Sequence, residues 1–321
     1  MHFFCLPFIF LLQSVPDTTP VIAQAGQKAP FALLPPTTAP VEAPQSILPA
    51  TSSVSSNGPQ IRAEVGRYRL RLAQNVADRE AAYKLRFKVF NIELGEGLAR
   101  SYETGIDTDR FDAFCEHLLV EDKSDKRVVG TYRMQSGSTA AVNLGYYSAQ
   151  EFEFAPYEPL RHDILELGRA SIDREHRTPE VLTLLWRGIA QYASEMGLRY
   201  LIGCSSLNSK DPVEGWRMYR ELERYRVSPE FETVPTASYE CPRQQQGAGT
   251  DLSTDPQDPA TATKVPKLLK TYLAIGARIC ASPAWDREFG SIDFLTLLDL
   301  KMLSSAARNR FLAPLTQGVC G

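Results

Sequence analysis

The segment ILELGRASI, residues 164–172, carries two charged residues inside an otherwise apolar strand pattern, Glu166 and Arg169. Burying an unpaired charge is costly, so a charge kept inside a strand is usually paired or functional. A carboxylate can accept the proton of an attacking amine or hold an ammonium group, and a guanidinium can bind a carboxylate through two parallel hydrogen bonds. The segment therefore indicates the floor of an active site, with a structural ion pair as the alternative.

The spacing of these two residues poses a geometric difficulty. Glu166 and Arg169 are three positions apart, and an odd spacing places side chains on opposite faces of a regular strand. They reach the same site only if a β-bulge lies between them, and bulges are common beside active sites.

Other acids and arginines surround short apolar segments. Arg133 ends the run VVGTYRM, and Asp109 and Asp112 stand three apart in DTDRFD, where they also suit a helix or turn cap. Arg86 and Phe90 are four apart, which places them on one face of a helix. His117 opens a strand pattern, so its ring either serves the site or bonds within the sheet.

Several common chemistries have no signature in this sequence. The four histidines form no HExxH pair, and there is neither a GxxxxGK[ST] nor a GxGxxG pattern. The six cysteines are scattered without a CxxC pair, which favours free thiols in a reducing compartment over disulfides or a zinc site. We expect no metal and no resident cofactor.

These residues depend on a series of short elements for their positions. Hydrophobic periodicity predicts strands, a hairpin and helices over residues 68–73, 78–90, 117–134, 164–172, 179–196 and 200–206. Thr178 and Pro179 are a typical helix start, and Gly197 a typical end. A helix opening at Asp211 and a strand within FGSIDFLTLLDL follow. The order predicts an α/β fold, a mixed sheet flanked by helices on both faces.

Composition divides the chain into folded and unfolded parts. Residues 1–65 are largely rich in proline, serine and threonine and are predicted to be a disordered extension. Residues 66–305 are predicted to form one domain, interrupted by a disordered insertion at about 242–264, and residues 306–321 a tail. The net charge of -3 provides no basic field, so we expect no nucleic-acid partner.

The first twelve residues, MHFFCLPFIFLL, are apolar but too short to span a bilayer as a helix. Ala23-Gln24-Ala25 resembles a signal-peptide cleavage site, yet no lysine or arginine precedes the apolar run. A signal, a membrane anchor and a mis-assigned start remain the three interpretations of this segment.

The motifs LRFKVF, DTDRFD, HLLV, VVGTYRM, ELGRASI, EVLTLLWRGIA and LIGCSSL together resemble the ornithine N-acyltransferases of ornithine-lipid synthesis, members of the GNAT superfamily often described as hemolysin-like. The resemblance covers about residues 67–240 and 265–303. The chain more distantly resembles the acyl-homoserine lactone synthases, a sister GNAT group. The residues that carry this resemblance are Arg86, Phe90, Asp109, Asp112, Arg133, Glu166 and Arg169.

The resemblance implies a GNAT-like fold and transfer of a 3-hydroxyacyl group from acyl carrier protein to the α-amine of L-ornithine. The co-substrate is then a phosphopantetheine thioester. Three residues are predicted to be catalytic, namely Glu166, Asp112 and Arg133. Five are predicted to bind substrate, namely Arg86, Asp109, Arg169, Phe90 and His117. The enzyme is expected in the cytoplasm, with peripheral contact to the inner face of the membrane through its lipid product.

The turn before the predicted helix at 179 departs from many acetyl-CoA-using relatives, whose glycine-rich turn cradles a pyrophosphate. Here the turn is DREHRT, without glycine. A carrier protein presents a single phosphodiester, for which Arg174 and Arg177 beside the helix N-terminus suffice. This favours acyl carrier protein over acyl-CoA as donor.

Two other functions remain open from the sequence. One is an acyl-homoserine lactone synthase or another N-acyl amino acid synthase, since nothing in the residues excludes a different amine. The other is a non-catalytic module that binds acyl carrier protein or lipid, in which the charged residues are structural.

Overall fold

The computed structural model describes residues 59–243 and 265–311. The apolar run at residues 1–12, most of the predicted extension and insertion, and residues 312–321 lie outside the described residues. In the described part of the chain, no helix has both the length and the apolar character needed to cross a membrane.

Nine strands form one sheet. In chain order they are β1 Arg62–Val65, β2 Tyr68–Leu72, β3 Glu116–Asp122, β4 Val128–Ser136, β5 Ile164–Ile172, β6 Tyr200–Leu207, β7 Arg278–Ile279, β8 Ala284–Asp286 and β9 Ser291–Asp299. Their order across the sheet is β1-β2-β3-β4-β5-β6-β9-β7, and β8 also pairs with β9. The β5–β6 pair is parallel and the other pairs are antiparallel, so the predicted mixed sheet is confirmed.

Seven α-helices are described: α1 Val76–Phe87, α2 Ser101–Thr104, α3 Gly137–Val142, α4 Pro179–Glu195, α5 Pro212–Glu221, α6 Lys267–Ile275 and α7 Ser305–Phe311. A π-helical turn, Lys88–Glu93, continues directly from α1. Short 3-10 helices lie at Arg110–Ala113, Ser148–Gln150, Ala155–Asp163, Arg174–His176, Glu223–Tyr225, Pro229–Phe231 and Leu300–Met302.

The longest helix, α4, begins and ends as its sequence predicts. The Thr178 hydroxyl accepts a hydrogen bond from the Val181 amide, and Gly197 just beyond the helix takes the left-handed φ of +67°. Its apolar face is buried against the sheet, in a core that includes Leu70, Leu118 and Leu185. The α1 helix contacts β4 and β5.

The first strand begins earlier than the sequence patterns suggest. Residues 62–65 fall within the predicted disordered extension, but they form β1, whose four residues pair with β2. Residues 305–311, mostly assigned to the tail, form α7, and Phe311 packs beside Trp186. Both short elements gain their stability from tertiary contacts, which local composition does not reveal.

Strands β5 and β6 separate at the centre of the sheet. Their pairing ends at Glu166 and Ile202, although β5 runs on to Ile172 and β6 to Leu207. The two backbones approach closely at the fork, where a Cβ on Gly203 would lie 2.2 Å from the Leu167 carbonyl oxygen. Beyond the fork, backbone groups on the facing edges have no neighbouring strand, and an extended ligand can bind between them.

A β-bulge in β5 resolves the spacing difficulty of Glu166 and Arg169. Thr131 pairs with Ser171 and Arg133 pairs with Gly168, so two steps along β4 face three along β5. Arg169 lies at this irregularity with φ of +52°, a left-handed value that non-glycine residues rarely adopt. The bulge turns the side chain of Arg169 toward the same cavity that Glu166 lines.

The close approach at the fork makes a testable prediction about stability. Gly203→Ala places a methyl group against the Leu167 carbonyl, so the backbones must shift, at a cost of roughly 1–3 kcal/mol. Gly168→Ala is the matched control on the neighbouring strand, since its Cβ would lie 3.9 Å from the nearest atoms, on Arg133. Chemical denaturation of both variants measures the difference, and equal stabilities would contradict the close approach.

Candidate active site

A cavity of about 520 Å³ opens at the fork between β5 and β6. Its wall includes apolar groups such as Val89, Leu167, Leu269 and Tyr272. The polar part of the wall includes Arg133, Gln135, Tyr147, Ser148, Glu151, Glu166, Arg169, Asp286, Asp293 and Glu96. Tyr132 and Arg133 are neighbours on β4 and both line the cavity, so the space reaches both faces of the sheet.

Glu166 stands at the fork as the last residue of β5 that pairs with β6. Its two carboxylate oxygens accept hydrogen bonds from the backbone amides of Tyr147, at 2.9 Å, and Ser148, at 2.8 Å. Burial raises the pKa of the carboxyl, and these amides oppose the rise. The alternative of a structural ion pair with an arginine is not found for Glu166 among the described residues. Two backbone donors fix its orientation instead.

A network of buried ion pairs lies behind the cavity wall. The Arg86 guanidinium donates to the Asp112 carboxylate through two bonds, at 2.8 and 3.0 Å, and to Asp107 at 2.7 Å. Arg133 donates to Asp109 at 2.7 Å and to Asp112 at 3.1 Å. Although burial opposes ionisation, the adjacent Arg86 holds the pKa of Asp112 far below its usual range.

Asp112, predicted to be catalytic, and His117, predicted to bind substrate, are not among the residues that line the cavity. Asp112 accepts from Arg86 and Arg133 and lies behind the wall that Arg133 forms. His117 is fully buried, with its ring edge-on to Tyr83, and burial lowers its pKa to about 4. The sequence shows that these residues are polar and near strands, but not which partner each one meets.

Asp109 and Arg86 were expected to contact substrate, and the structure gives both of them protein partners. Asp109 caps the short helix at Arg110–Ala113 and accepts from Arg133 and Arg169. Arg86 is fully buried beneath the wall, whereas Phe90 lines the cavity. The shared face predicted for Arg86 and Phe90 assumed an unbroken α-helix. After Phe87 the helix changes to a π-helical turn, in which residues four apart no longer share a face.

Arg169 reaches the cavity and is held there by aromatic rings and acids. Its guanidinium carbon lies 4.7 Å from the Phe289 ring centroid and 5.1 Å from that of Tyr147. One terminal nitrogen donates to Asp109 at 3.2 Å. The Nε atom is buried without a hydrogen-bond partner in the described part of the chain, and an Asp107 carboxylate oxygen lies 3.6 Å from it.

Arg174 and Arg177 lie outside the cavity, in the turn before α4. Arg177 pairs with Glu93 and donates to the Ile172 carbonyl, so its guanidinium is already engaged. Arg174 is exposed. Of the two arginines predicted to bind a phosphate, Arg174 is the better placed.

Three carboxylates in the cavity wall were missed from the sequence. Glu151, Asp286 and Asp293 are buried, and their oxygens lie within 4.8 Å of one another, close enough to hold one cation. Burial raises the pKa of Asp293 to about 6, and burial followed by the charge of Asp293 raises that of Glu151. Asp293 sits inside the apolar strand SIDFLTLLD, the same signal that identified Glu166.

Cys204 also lines the cavity, with its sulfur 3.6 Å from a Glu151 oxygen. Burial and the nearby carboxylate of Glu151 raise its pKa well above the usual thiol value. A thiol kept protonated is a poor nucleophile, which agrees with its interpretation as a small buried residue. Cys115, Cys204, Cys241 and Cys280 are free thiols.

Comparison with known proteins shows which families the chain is similar to. Residues 85–187 match the family described as the acetyltransferase (GNAT) domain, which confirms the predicted fold class. The chain is 30% identical over 275 residues to the L-ornithine N(alpha)-acyltransferase of Brucella abortus (strain 2308), covering 80% of this chain and 96% of that protein. It is 28% identical to the enzyme of the same name from Agrobacterium fabrum (strain C58 / ATCC 33970), covering 80% and 89%.

Among solved structures, the N-acyl amino acid synthase FeeM from uncultured soil microbes matches with a TM-score of 0.46 at 11% identity. That match covers 77% of this chain and 97% of FeeM. The acyl-homoserine lactone synthase LasI matches with a TM-score of 0.41 at 10% identity, covering 77% of this chain and 95% of LasI.

The buried network predicts a structural role for Asp112. Asp112→Asn leaves two buried guanidinium groups without their full countercharge, so we expect a loss of roughly 3–5 kcal/mol in unfolding free energy. Asp125→Asn removes a carboxylate from an exposed pair with Arg127 and is expected to change little. Urea denaturation compares the two. An Asp112→Asn protein of full stability that has lost its activity would instead support a direct role in the reaction.

Proposed function

Because this chain belongs to the L-ornithine N(alpha)-acyltransferase family, we propose that it transfers a 3-hydroxyacyl group from acyl carrier protein to the α-amine of L-ornithine, giving lyso-ornithine lipid. The observation that carries the proposal is the cavity at the fork of β5 and β6, which joins an apolar wall to a wall of buried carboxylates and guanidinium groups. The acyl chain of a thioester needs the apolar wall, and a charged amino acid needs the wall of carboxylates and guanidinium groups.

The reaction follows from the groups at the fork. The neutral α-amine attacks the thioester carbonyl carbon, a C–N bond forms, and the C–S bond then breaks to release the carrier thiolate. Glu166 accepts the proton that the amine loses, and that proton finally resides on the departing sulfur. The raised pKa of its buried carboxyl makes Glu166 a stronger base than an exposed glutamate.

The acceptor's carboxylate is assigned to Arg169. Its guanidinium lines the cavity at the bulge, and the rings of Phe289 and Tyr147 restrain it. The Nε makes no hydrogen bond among the described residues, although an Asp107 carboxylate oxygen lies 3.6 Å away. A guanidinium binds a carboxylate in a planar, two-point contact, which would orient the α-amine attached to the same carbon. Arg133 supports Arg169 through Asp109, which accepts from both.

The N-terminus of α4 supports a carrier protein as donor. The Thr178 side chain already accepts from the Val181 amide, and Pro179 has no amide hydrogen, so fewer free donors remain for a pyrophosphate. Exposed Arg174 lies in the preceding turn, where it can contact the single phosphodiester of a phosphopantetheine arm. The thioester is a co-substrate, and the proposal requires no resident cofactor.

The donor also sets where the enzyme works. Acyl carrier protein is the proposed partner, so we place the reaction in the cytoplasm, with the product passing to the inner face of the membrane.

Replacing the proposed base tests the mechanism. Glu166→Gln keeps the shape of the side chain but cannot take up the amine proton, so we expect kcat to fall by roughly 10²–10⁴-fold. Release of carrier thiol, measured with purified protein and 3-hydroxyacyl carrier, gives the rate.

The control is Glu153→Gln, the same chemical change at an exposed position. Thermal melts of both variants are needed, because Glu166 also accepts the amides of Tyr147 and Ser148. A folded Glu166→Gln enzyme with the wild-type rate would remove Glu166 from the chemistry.

Charge reversal at the turn tests the donor. Arg174→Glu is expected to raise KM for the acyl carrier thioester by about tenfold, since it replaces an attraction to the phosphodiester with a repulsion. Arg220→Glu, an equal charge change at an exposed site on α5, should leave that KM unchanged. Steady-state kinetics with carrier-bound and CoA-bound 3-hydroxyacyl groups provide the comparison. Equal use of both donors by the wild-type enzyme would contradict the carrier preference.

A further inference from the structure

The three carboxylates missed from the sequence face one corner of the reaction cavity. Glu151 follows the 3-10 turn at Ser148–Gln150, Asp286 ends β8, and Asp293 lies in β9. Their side chains are 2%, 5% and 3% exposed, so all three are removed from solvent. No salt bridge neutralises them within the described part of the chain, in contrast to the aspartates that pair with Arg86 and Arg133.

One oxygen of this cluster has no partner. Asp293 Oδ2 accepts from the Ser291 hydroxyl at 3.3 Å, whereas the buried Oδ1 has no hydrogen-bond partner among the described residues. An unpaired buried acceptor is costly, and three like charges together add to the cost. A cation that enters the cavity would remove both penalties.

We propose that Glu151, Asp286 and Asp293 form a specificity site for the side-chain ammonium group of the amino-acid acceptor. This assignment rests on the proposed function and extends it. The α-amine reacts beside Glu166 while the second, protonated amine is held in the carboxylate corner. The enzyme thereby selects a diamino acid and leaves the side-chain amine unacylated.

A single short turn connects the two positions. Tyr147 and Ser148 donate their amides to Glu166, and Glu151 follows Ser148 by three residues across a single 3-10 turn. This turn therefore carries both the amides that hold Glu166 and a carboxylate of the cluster, and all of these residues line the same cavity. The two nitrogens of extended ornithine are about 6 Å apart, across five single bonds of ordinary length, so the acceptor can present both amines within one cavity.

An ammonium group suits this cluster better than a metal ion. It carries three N–H donors, one for each carboxylate. A calcium ion takes at least six oxygen ligands, and magnesium requires a near-ideal octahedron. The raised pKa values of Asp293 and Glu151 also agree with a corner that stays partly protonated until a cation arrives.

The test compares ornithine with norvaline, which has the same carbon chain without the side-chain amine. Wild-type protein should bind ornithine roughly 10–100-fold more tightly in calorimetry, as expected for a buried charge-assisted contact. Asp293→Asn and Glu151→Gln should reduce this ratio toward one and leave norvaline binding unchanged. Glu153→Gln, the same chemical change at an exposed position outside the cavity wall, is the control that should keep the full ratio.

The binding measurement separates this inference from the proposed reaction. An ornithine preference that Asp293→Asn abolishes supports the specificity site, even in a protein that transfers no acyl group to ornithine. A wild-type protein without the preference overturns it, as does a preference that survives both variants. Ornithine binding that disappears with EDTA and returns with Mg²⁺ or Ca²⁺ would also overturn it, by assigning the cluster to a metal.

The pH dependence of the ratio is a second readout, because ornithine and norvaline share the α-amine and its partners. The ratio should fall as pH drops below about 6, where Asp293 becomes protonated and loses its attraction for a cation. A ratio that stays constant from pH 8 to pH 5 would contradict the assignment. The titratable and charged groups that act on the cluster from neighbouring elements are Cys204, Tyr147, Arg169, Glu96, Tyr239 and Glu288, and the charge of Lys210 acts on Glu96.

Discussion

A balanced set of buried charges underlies the site. Three aspartates and three arginines meet behind the cavity wall, where Asp112 joins Arg86 to Arg133 and Asp109 joins Arg133 to Arg169. Asp107 completes the set through Arg86. Burying these groups is tolerable only because each has a partner, so the loop that carries the aspartates must stay where α1, β4 and β5 need it. The network thus fixes Arg133 and Arg169 in the wall.

The carboxylates on the other side of the cavity, in contrast, are not paired with arginines among the described residues. Glu166 is held by two amides rather than by a guanidinium, and Glu151, Asp286 and Asp293 have no basic partner in the described part of the chain. The balanced network therefore contributes little net charge, while this corner has an excess of acid. In a desolvated cavity such an excess attracts a cation strongly, because nearby water does not screen it. Recognition of a cationic amine then depends on the charges left unpaired.

The sequence predicted the helices and strands whose patterns lie within one segment. It did not predict which side chains from distant segments would contact one another. The strand, helix and strand over residues 164–207 were correct because their periodicity and the Thr178 cap lie within the segment itself. Glu166 was found as a charge in an apolar strand, and Asp293 satisfies the same rule but was overlooked in the closing strand. Glu151 lies in an irregular segment, and only the turn that Glu166 holds brings it into the cavity. The partnership of Arg86 with Asp112 spans 26 positions, which no spacing rule reveals.

The strained backbone at Arg169 and the separation of β5 from β6 together form the site before substrate binds. A non-glycine residue at the φ of Arg169 costs about 1–3 kcal/mol, a cost that persists only where the surroundings enforce it. Here the bulge and the aromatic rings enforce it, and the result is a guanidinium held in the wall of the cavity at the fork of β5 and β6. Direct attack of an amine on a thioester needs positioned charges more than an enzyme nucleophile. The high pKa of the Cys204 thiol is consistent with that chemistry, since a protonated thiol in the same cavity does not compete with the amine for the acyl group.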